Sequence, residues 1–182
     1  MHLIAMAGLP GTGKSTLARA LASRLDGLVL DKDTVRAALF GPGRVEYSRA
    51  QDDHCVRLLH STVDFLRERG RERFVLLDGR TYSRSDQVRE LAGFAAARAL
   101  PWCLIECTCA AAIALERLER DRLRGDHPAG DRTAARYGEL ASAAEPIVLD
   151  RLVVDTGSEP TDAQAERVLR HLRGLGWAID PP

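Results

Sequence analysis

Apolar positions along the chain fall into short runs separated by longer stretches of helical period. That alternation predicts an α/β protein, a parallel sheet wrapped by helices. His2 to Ala7 reads as the first strand, and Leu17, Leu21 and Leu25 then recur every four residues on one face of a helix ending near Leu25. Gly27 opens a second strand, Leu28 to Asp31, and a short helix from Asp33 to about Phe40 is stopped by Gly41-Pro42-Gly43. Ser48 and Gln51 have capping-box spacing at the start of a long helix running to about Arg69. Phe74 to Asp78 is an apolar run with a carboxylate at its C-terminal tip, and Ser83 or Ser85 can cap a helix reaching about Ala99. Pro101 to Cys109 predicts a fourth strand and Ala110 to Leu123 a further helix. A polar, turn-rich break at Gly125 to Asp131 separates that helix from one near Thr133 to Ala144. Leu149 to Val154 predicts the fifth strand and Thr161 to Gly174 a closing amphipathic helix. No repeat, low-complexity segment or linker interrupts the series, so residues 1–182 read as one domain.

Composition narrows the class of protein. An apolar content of 45% and a charged content of 29% suit a soluble globular domain. The 26 basic and 26 acidic residues cancel, which argues against a surface built for long nucleic acids. No apolar run approaches the roughly 20 residues of a membrane span, and the N-terminus does not read as a signal peptide. Four cysteines without scaffold spacing imply a reducing cytoplasm. Cys103, Cys107 and Cys109 share strand parity with Ile105, but their spacing lacks a metal knuckle and reads as buried thiols. Only Lys14 and Lys32 are lysines, the remaining 24 basic residues being arginine.

Gly8-Leu9-Pro10-Gly11-Thr12-Gly13-Lys14-Ser15 matches G-x-x-x-x-G-K-[ST] between a strand and a helix, the context the motif needs. Glycines let backbone N–H groups wrap phosphate oxygens, and the helix N-terminus adds favourable partial charge. Gly8 to Thr16 is therefore expected to bind ATP. Lys14 would neutralise the β- and γ-phosphates, and the Ser15 hydroxyl would ligate Mg²⁺.

In open α/β sheets ligands lie beyond the carboxyl ends of the strands. Asp31, Asp33 and Asp78 fall there. Asp33 and Arg36, three apart on one helix, could orient or deprotonate an acceptor hydroxyl and hold the acceptor or transferring phosphoryl group. A plain helix cap is the alternative for Asp33. Asp31 could hold Mg²⁺ through water or belong to the acceptor pocket. Asp78 sits as a Walker-B carboxylate would, placed for the metal or its waters. Arg80, after Gly79, is a candidate acceptor contact, and Lys32 reads as a solvated neighbour. Tyr47, Asp52, Asp53 and His54 read as a capped, solvated helix start that could shape specificity. Arg117 and Arg120 share a helix directly before the Gly125 to Asp131 break, where a lid over about residues 124–133 would close. Both are expected to meet the nucleotide, with Arg120 balancing charge during transfer. Arg132 and Arg136 could reach back onto phosphate. His127 reads as a turn or hinge, and Glu106 as lying at the wet tip of the sheet.

These residues resemble the adenylate-kinase-like branch of P-loop kinases, and within it the kinases of the zeta-toxin, chloramphenicol-phosphotransferase and polynucleotide-5′-kinase type. The resemblance spans Gly8 to Thr16, Asp33-x-x-Arg36, Asp78-Gly79-Arg80, the Arg117/Arg120 helix and the Gly125 to Asp131 lid. It implies a P-loop NTPase three-layer sandwich with a five-stranded parallel sheet of order 2-3-1-4-5. It also implies that Asp33 acts on the acceptor hydroxyl. The Asp31-Lys32-Asp33 run is similar to the double-aspartate pattern of shikimate-kinase-like enzymes. The expected activity is transfer of the γ-phosphoryl group of Mg·ATP to a hydroxyl of a small acceptor: a metabolite, nucleoside, sugar or antibiotic-like compound. The alternatives are a 5′-hydroxyl nucleic-acid kinase, and a nucleotide switch or NTPase acting on a partner.

Overall fold

The computed structural model describes residues 1–41, 43–124 and 133–179. The Gly125 to Asp131 lid, His127 and Arg132 lie outside them. The elements follow in the order β1 His2–Ala7, α1 Lys14–Leu25, β2 Leu28–Asp31, α2 Lys32–Phe40, α3 Arg49–Arg69 and β3 Phe74–Asp78. Then come α4 Ser85–Ala96, β4 Trp102–Thr108, α5 Ala111–Arg124, α6 Ala134–Ser142, β5 Leu152–Asp155 and α7 Thr161–Gly174. The five strands form one sheet of order β2-β3-β1-β4-β5, every pairing parallel. This is the expected P-loop NTPase-like α/β fold.

A parallel sheet covered on both faces needs apolar residues at both parities of its strands. The central strands supply them. Ile4, Met6, Phe74, Leu76, Cys103 and Ile105 pack with Leu17 and Leu21 of α1 and Val168 and Leu172 of α7. Leu3, Ala5, Val75, Leu77 and Leu104 point the other way and pack with Leu59 and Val63 of α3 and Val88 and Leu91 of α4. Each fully buried large aliphatic stabilises the fold by about 1.5–3 kcal/mol, so neither face is dispensable. The order also puts the C-terminal tips of β1 and β3 side by side, which sets the phosphate loop beside Asp78.

Several boundaries differ from the sequence expectations by a residue or more, α4 starting after Arg84 with no side-chain cap from Ser83 or Ser85, and three of the differences have a visible cause. α2 begins at Lys32, because Asp31 is its cap: the Asp31 carboxylate accepts from Asp33 N at 2.9 Å and from Thr34 Oγ1 at 3.0 Å. α4 ends at Ala96, where Leu100 N donates to Ala95 O and Ala99 N to Ala96 O around a left-handed Ala99 (φ 50). That is the geometry of a helix stop normally made by glycine. β5 begins at Leu152. Arg151 folds back to donate to Ile147 O at 2.7 Å and pairs with Glu106, and the ladder with β4 starts only at Ile105↔Leu152.

Candidate functional site

The loop between β1 and α1 is held by short-range contacts. Leu9 O accepts from Thr12 Oγ1 and from Lys14 Nζ, each at 2.8 Å. Thr156, just past β5, closes the rear of the loop with its hydroxyl 2.8 Å from Thr12 O. Arg117 of α5 ties both together. Its Nη1 donates to Thr156 Oγ1 at 3.0 Å and to Gly11 O at 3.4 Å, and its Nη2 to Thr156 O at 2.8 Å. Gly11 admits no side chain, since it has φ 78 and a Cβ there would lie 2.5 Å from Ala114 O.

Two cavities meet at the end of the loop where α1 begins. The larger, about 520 Å³, is lined by Lys14, Ser15, Thr16, Asp31, Arg117 and Arg120 among others. The smaller, about 200 Å³, is lined by Lys14, Ser15, Lys32, Asp33, Arg36 and Asp52, with Arg49, Arg84 and Gln87 further along it. Lys14 and Ser15 belong to both.

The wall of the smaller cavity is a network of charges between α2 and α3. Lys32 and Arg36 both pair with Asp52, and Asp33 Oδ1 lies 3.2 Å from Arg36 Nη1 and 3.5 Å from Lys32 Nζ. Because Asp31 takes the capping role, the Asp33 carboxylate is left for Arg36 and Lys32. Burial pushes the Asp52 carboxyl up, but Lys32, Arg36 and Arg80 outweigh it and hold Asp52 below the usual carboxylate range. Tyr47 lies beneath the Arg36 guanidinium, 5.4 Å from ring centre to Cζ. The expectation of a solvated Lys32 is corrected: it is 7% exposed, drawn in by two carboxylates. Asp52 likewise belongs to the cavity wall and not to a solvated helix start.

Asp78, only 2% exposed, stands beside Asp31 in the β2–β3 register, and its Oδ1 has no hydrogen-bond partner among the described residues. A buried carboxylate oxygen left open at the tip of β3 suits a hard cation such as Mg²⁺, which takes oxygen donors and retains waters. Gly79 makes the close approach possible. Its φ is 85, and a Cβ would sit 2.7 Å from Asp31 Oδ1 and 3.0 Å from Lys32 N.

Two expected contacts fall elsewhere. Arg80 lines neither cavity; Glu90 at 2.7 Å and Asp53 at 3.1 Å occupy its terminal nitrogens and tie β3 to α3 and α4. Asp31 lines the larger cavity, not the smaller one. Arg120 stands exposed at the rim of the larger cavity, and Arg136 lines the smaller while pairing with Glu139 at 2.9 Å. Cys103 and Cys107 are buried toward α1 and α7, and burial pushes both thiols up to about 12. Sequence reasoning missed Gln87, Arg49 and Arg84, which only tertiary packing brings to the cavity. Lys32 carried a signal, being one of two lysines in a chain that otherwise uses arginine.

The sequence matches the AAA domain family over residues 3–147. The chain belongs to that family. Among solved structures, this AAA-domain protein is similar to a kinase candidate from Chloroflexus aurantiacus J-10-fl. Identity there is 25% and the TM-score 0.74, over 94% of this chain and 98% of that one. It is also similar to the Mycobacterium tuberculosis APS kinase CysC, solved in complex with AMPPNP and APS. That match has 20% identity and a TM-score of 0.71, over 94% and 97% of the two chains. A gluconokinase from Sinorhizobium meliloti 1021 aligns at 12% identity with a TM-score of 0.64, over 97% and 98%. The latter two likenesses are likenesses of fold. Sequence comparison with functionally curated proteins gives no match.

Proposed function

We propose that this AAA-domain protein is an ATP-dependent phosphotransferase that moves the γ-phosphoryl group to a hydroxyl of a small-molecule acceptor. One observation carries the reading: Lys14 and Ser15 line both cavities, so a phosphoryl group held there borders the larger chamber and the smaller one at once. The kinases among its structural neighbours support the same reading. Within the P-loop kinases, Asp33-x-x-Arg36 and the Arg117/Arg120 helix favour the adenylate-kinase-like branch.

In this reading the larger cavity takes the nucleoside between Arg117, Arg120 and the turn after β5. Amides of the Gly8 to Thr16 loop, with Leu9, Pro10, Thr12 and Gly13 shaping its path, enclose the phosphates. Lys14 Nζ leaves the Leu9 carbonyl for a phosphate oxygen. Ser15 and Asp78 would hold Mg²⁺, with Asp31 near its waters; when bound, the metal draws charge from the phosphate oxygens. Asp33 accepts the proton of the acceptor hydroxyl as the new O–P bond forms, and the bond between γ-phosphorus and the bridging oxygen breaks to release ADP. Arg36 fixes the Asp33 carboxylate and faces the incoming phosphoryl group, while Arg120 balances charge from the rim. Arg80 acts one step removed, holding Asp53 and α3 in place. Free cysteines support a cytoplasmic setting, and among the described residues no helix is long and apolar enough to cross a membrane.

The test is a pool of small hydroxyl compounds incubated with Mg·ATP and searched by mass spectrometry for phosphorylated product. Asp33→Asn is expected to lower product formation about 10²-fold without loss of ATP binding. Transfer at the parent rate would remove Asp33 from the base role. ATP consumed with no phosphorylated product would favour a nucleotide switch or NTPase.

A further inference from the structure

We propose that the smaller cavity takes an anionic acceptor, a small hydroxyl compound carrying an oxyanion group, recognised by Arg84 with Arg49 and positioned by Gln87. The inference rests on the reading of that cavity as the acceptor site.

Charge along the cavity is uneven. Its inner wall is balanced, with Lys32 and Arg36 against Asp33 and Asp52. Arg49, Arg84 and Arg136 line the cavity as well, and among the described residues no further carboxylate does. The acids near these arginines stand behind the lining: Glu139 pairs with Arg136 alone, and those near Arg49 and Arg84 are shared. Asp86 serves both Arg49 and Arg84, and Asp53, 3.6 Å from Arg49, also holds Arg80. The cationic side chains in the lining therefore outnumber its two carboxylates, Asp33 and Asp52, because the other acids stand behind it. Arg84 meets Asp86 through Nε at 3.1 Å, and among the described residues its two terminal nitrogens carry no hydrogen bond. An open pair of parallel N–H donors is the edge that grips a carboxylate, phosphate or sulfate bidentately.

Gln87 adds an independent observation. It is 4% exposed, lines the same cavity, and its Oε1 has no donor among the described residues. Buried amide oxygens are almost always satisfied, so this one points to a ligand that supplies an O–H. A polyhydroxy acid or sugar phosphate offers such a group beside its anion.

The lining also limits what bears the charge. About 200 Å³ lies below the usual 300–1,000 Å³ of drug-sized sites. Pro10 and Leu140 are its main apolar residues, and its one aromatic ring, Tyr47, is already covered by Arg36. A nucleoside base or an aromatic antibiotic would find no wall to stack on.

The test uses the full chain saturated with Mg·AMPPNP, so that the phosphate loop is occupied, and titrates sodium sulfate, inorganic phosphate and glycolate by calorimetry. Saturable binding of these oxyanions is expected, weakened about tenfold in Arg84→Gln with the melting temperature unchanged. Preference for glycolate would mark a hydroxy-acid acceptor and preference for phosphate a sugar-phosphate one. Gln87→Leu is expected to weaken glycolate, which carries a hydroxyl, and to leave sulfate unaltered. Absence of oxyanion binding to the nucleotide-loaded protein, or equal affinity in Arg84→Gln, overturns the proposal. Failure of AMPPNP to bind would instead overturn the kinase reading beneath it, and the two failures are read in separate titrations.

Discussion

The phosphate loop and the charged wall of the smaller cavity meet at Lys14 and Ser15, yet they are built by different means. The loop is made of backbone turned by glycines and closed by contacts within a few residues, with Thr156 and Arg117 bracing it from behind. The wall is made of side-chain charges on separate helices: Lys32 and Arg36 reach Asp52, 20 and 16 residues away in sequence. A site of main-chain amides tolerates changes around it and recognises what every nucleotide shares. A site of paired charges can be retuned residue by residue, which suits the acceptor-selecting role proposed for it.

Removing the centre of the wall separates the two regions most sharply. Asp52→Ala strands Lys32 and Arg36, both buried, without their common carboxylate. Breaking a buried pair costs about 3–5 kcal/mol, and the 20% exposure of the Asp52 side chain puts this case near about 3 kcal/mol. Urea denaturation is expected to show that loss while ATP affinity stays close to the parent value. Equal stability would mean the wall does not depend on its charges.

A smaller effect belongs to the helix behind the wall. His60 of α3 is buried flat against Phe94 of α4, with ring centres 3.9 Å apart, and its Nε2 has no partner among the described residues. Burial lowers its pKa to about 4 from 6.5. The unfolded chain therefore binds this proton more readily than the folded one, and the His60 contribution, intact above about pH 6.5, is lost as pH falls toward 4. Stability is expected to drop by about 2 kcal/mol between pH 7 and pH 5. His60→Phe should flatten that slope; an unchanged slope would assign it to other groups.

How much of this was legible in the sequence follows the same division. The strand parities and the loop rest on local periodicity and a contiguous motif, so they could be read from neighbouring residues, whereas the sheet order followed from the family resemblance. The α4 stop could not, because Ala99 adopts the left-handed turn without the glycine that usually marks it. Lys32 and Asp52 could not be paired in advance, since a carboxylate three residues into a helix looks solvated until α2 packs on α3. Gln87 and Arg84 reach the cavity only through the placement of α4, and the capping role weighed as the alternative for Asp33 went to Asp31 because the helix starts one residue earlier.

The central claim is that the Gly8 to Thr16 loop captures a nucleotide polyphosphate, and titration of the purified chain with Mg·ATP in a calorimeter tests it most directly. Saturable heat at one nucleotide per chain, abolished by Lys14→Ala, is the predicted result. A flat titration with the folded parent protein would contradict the account.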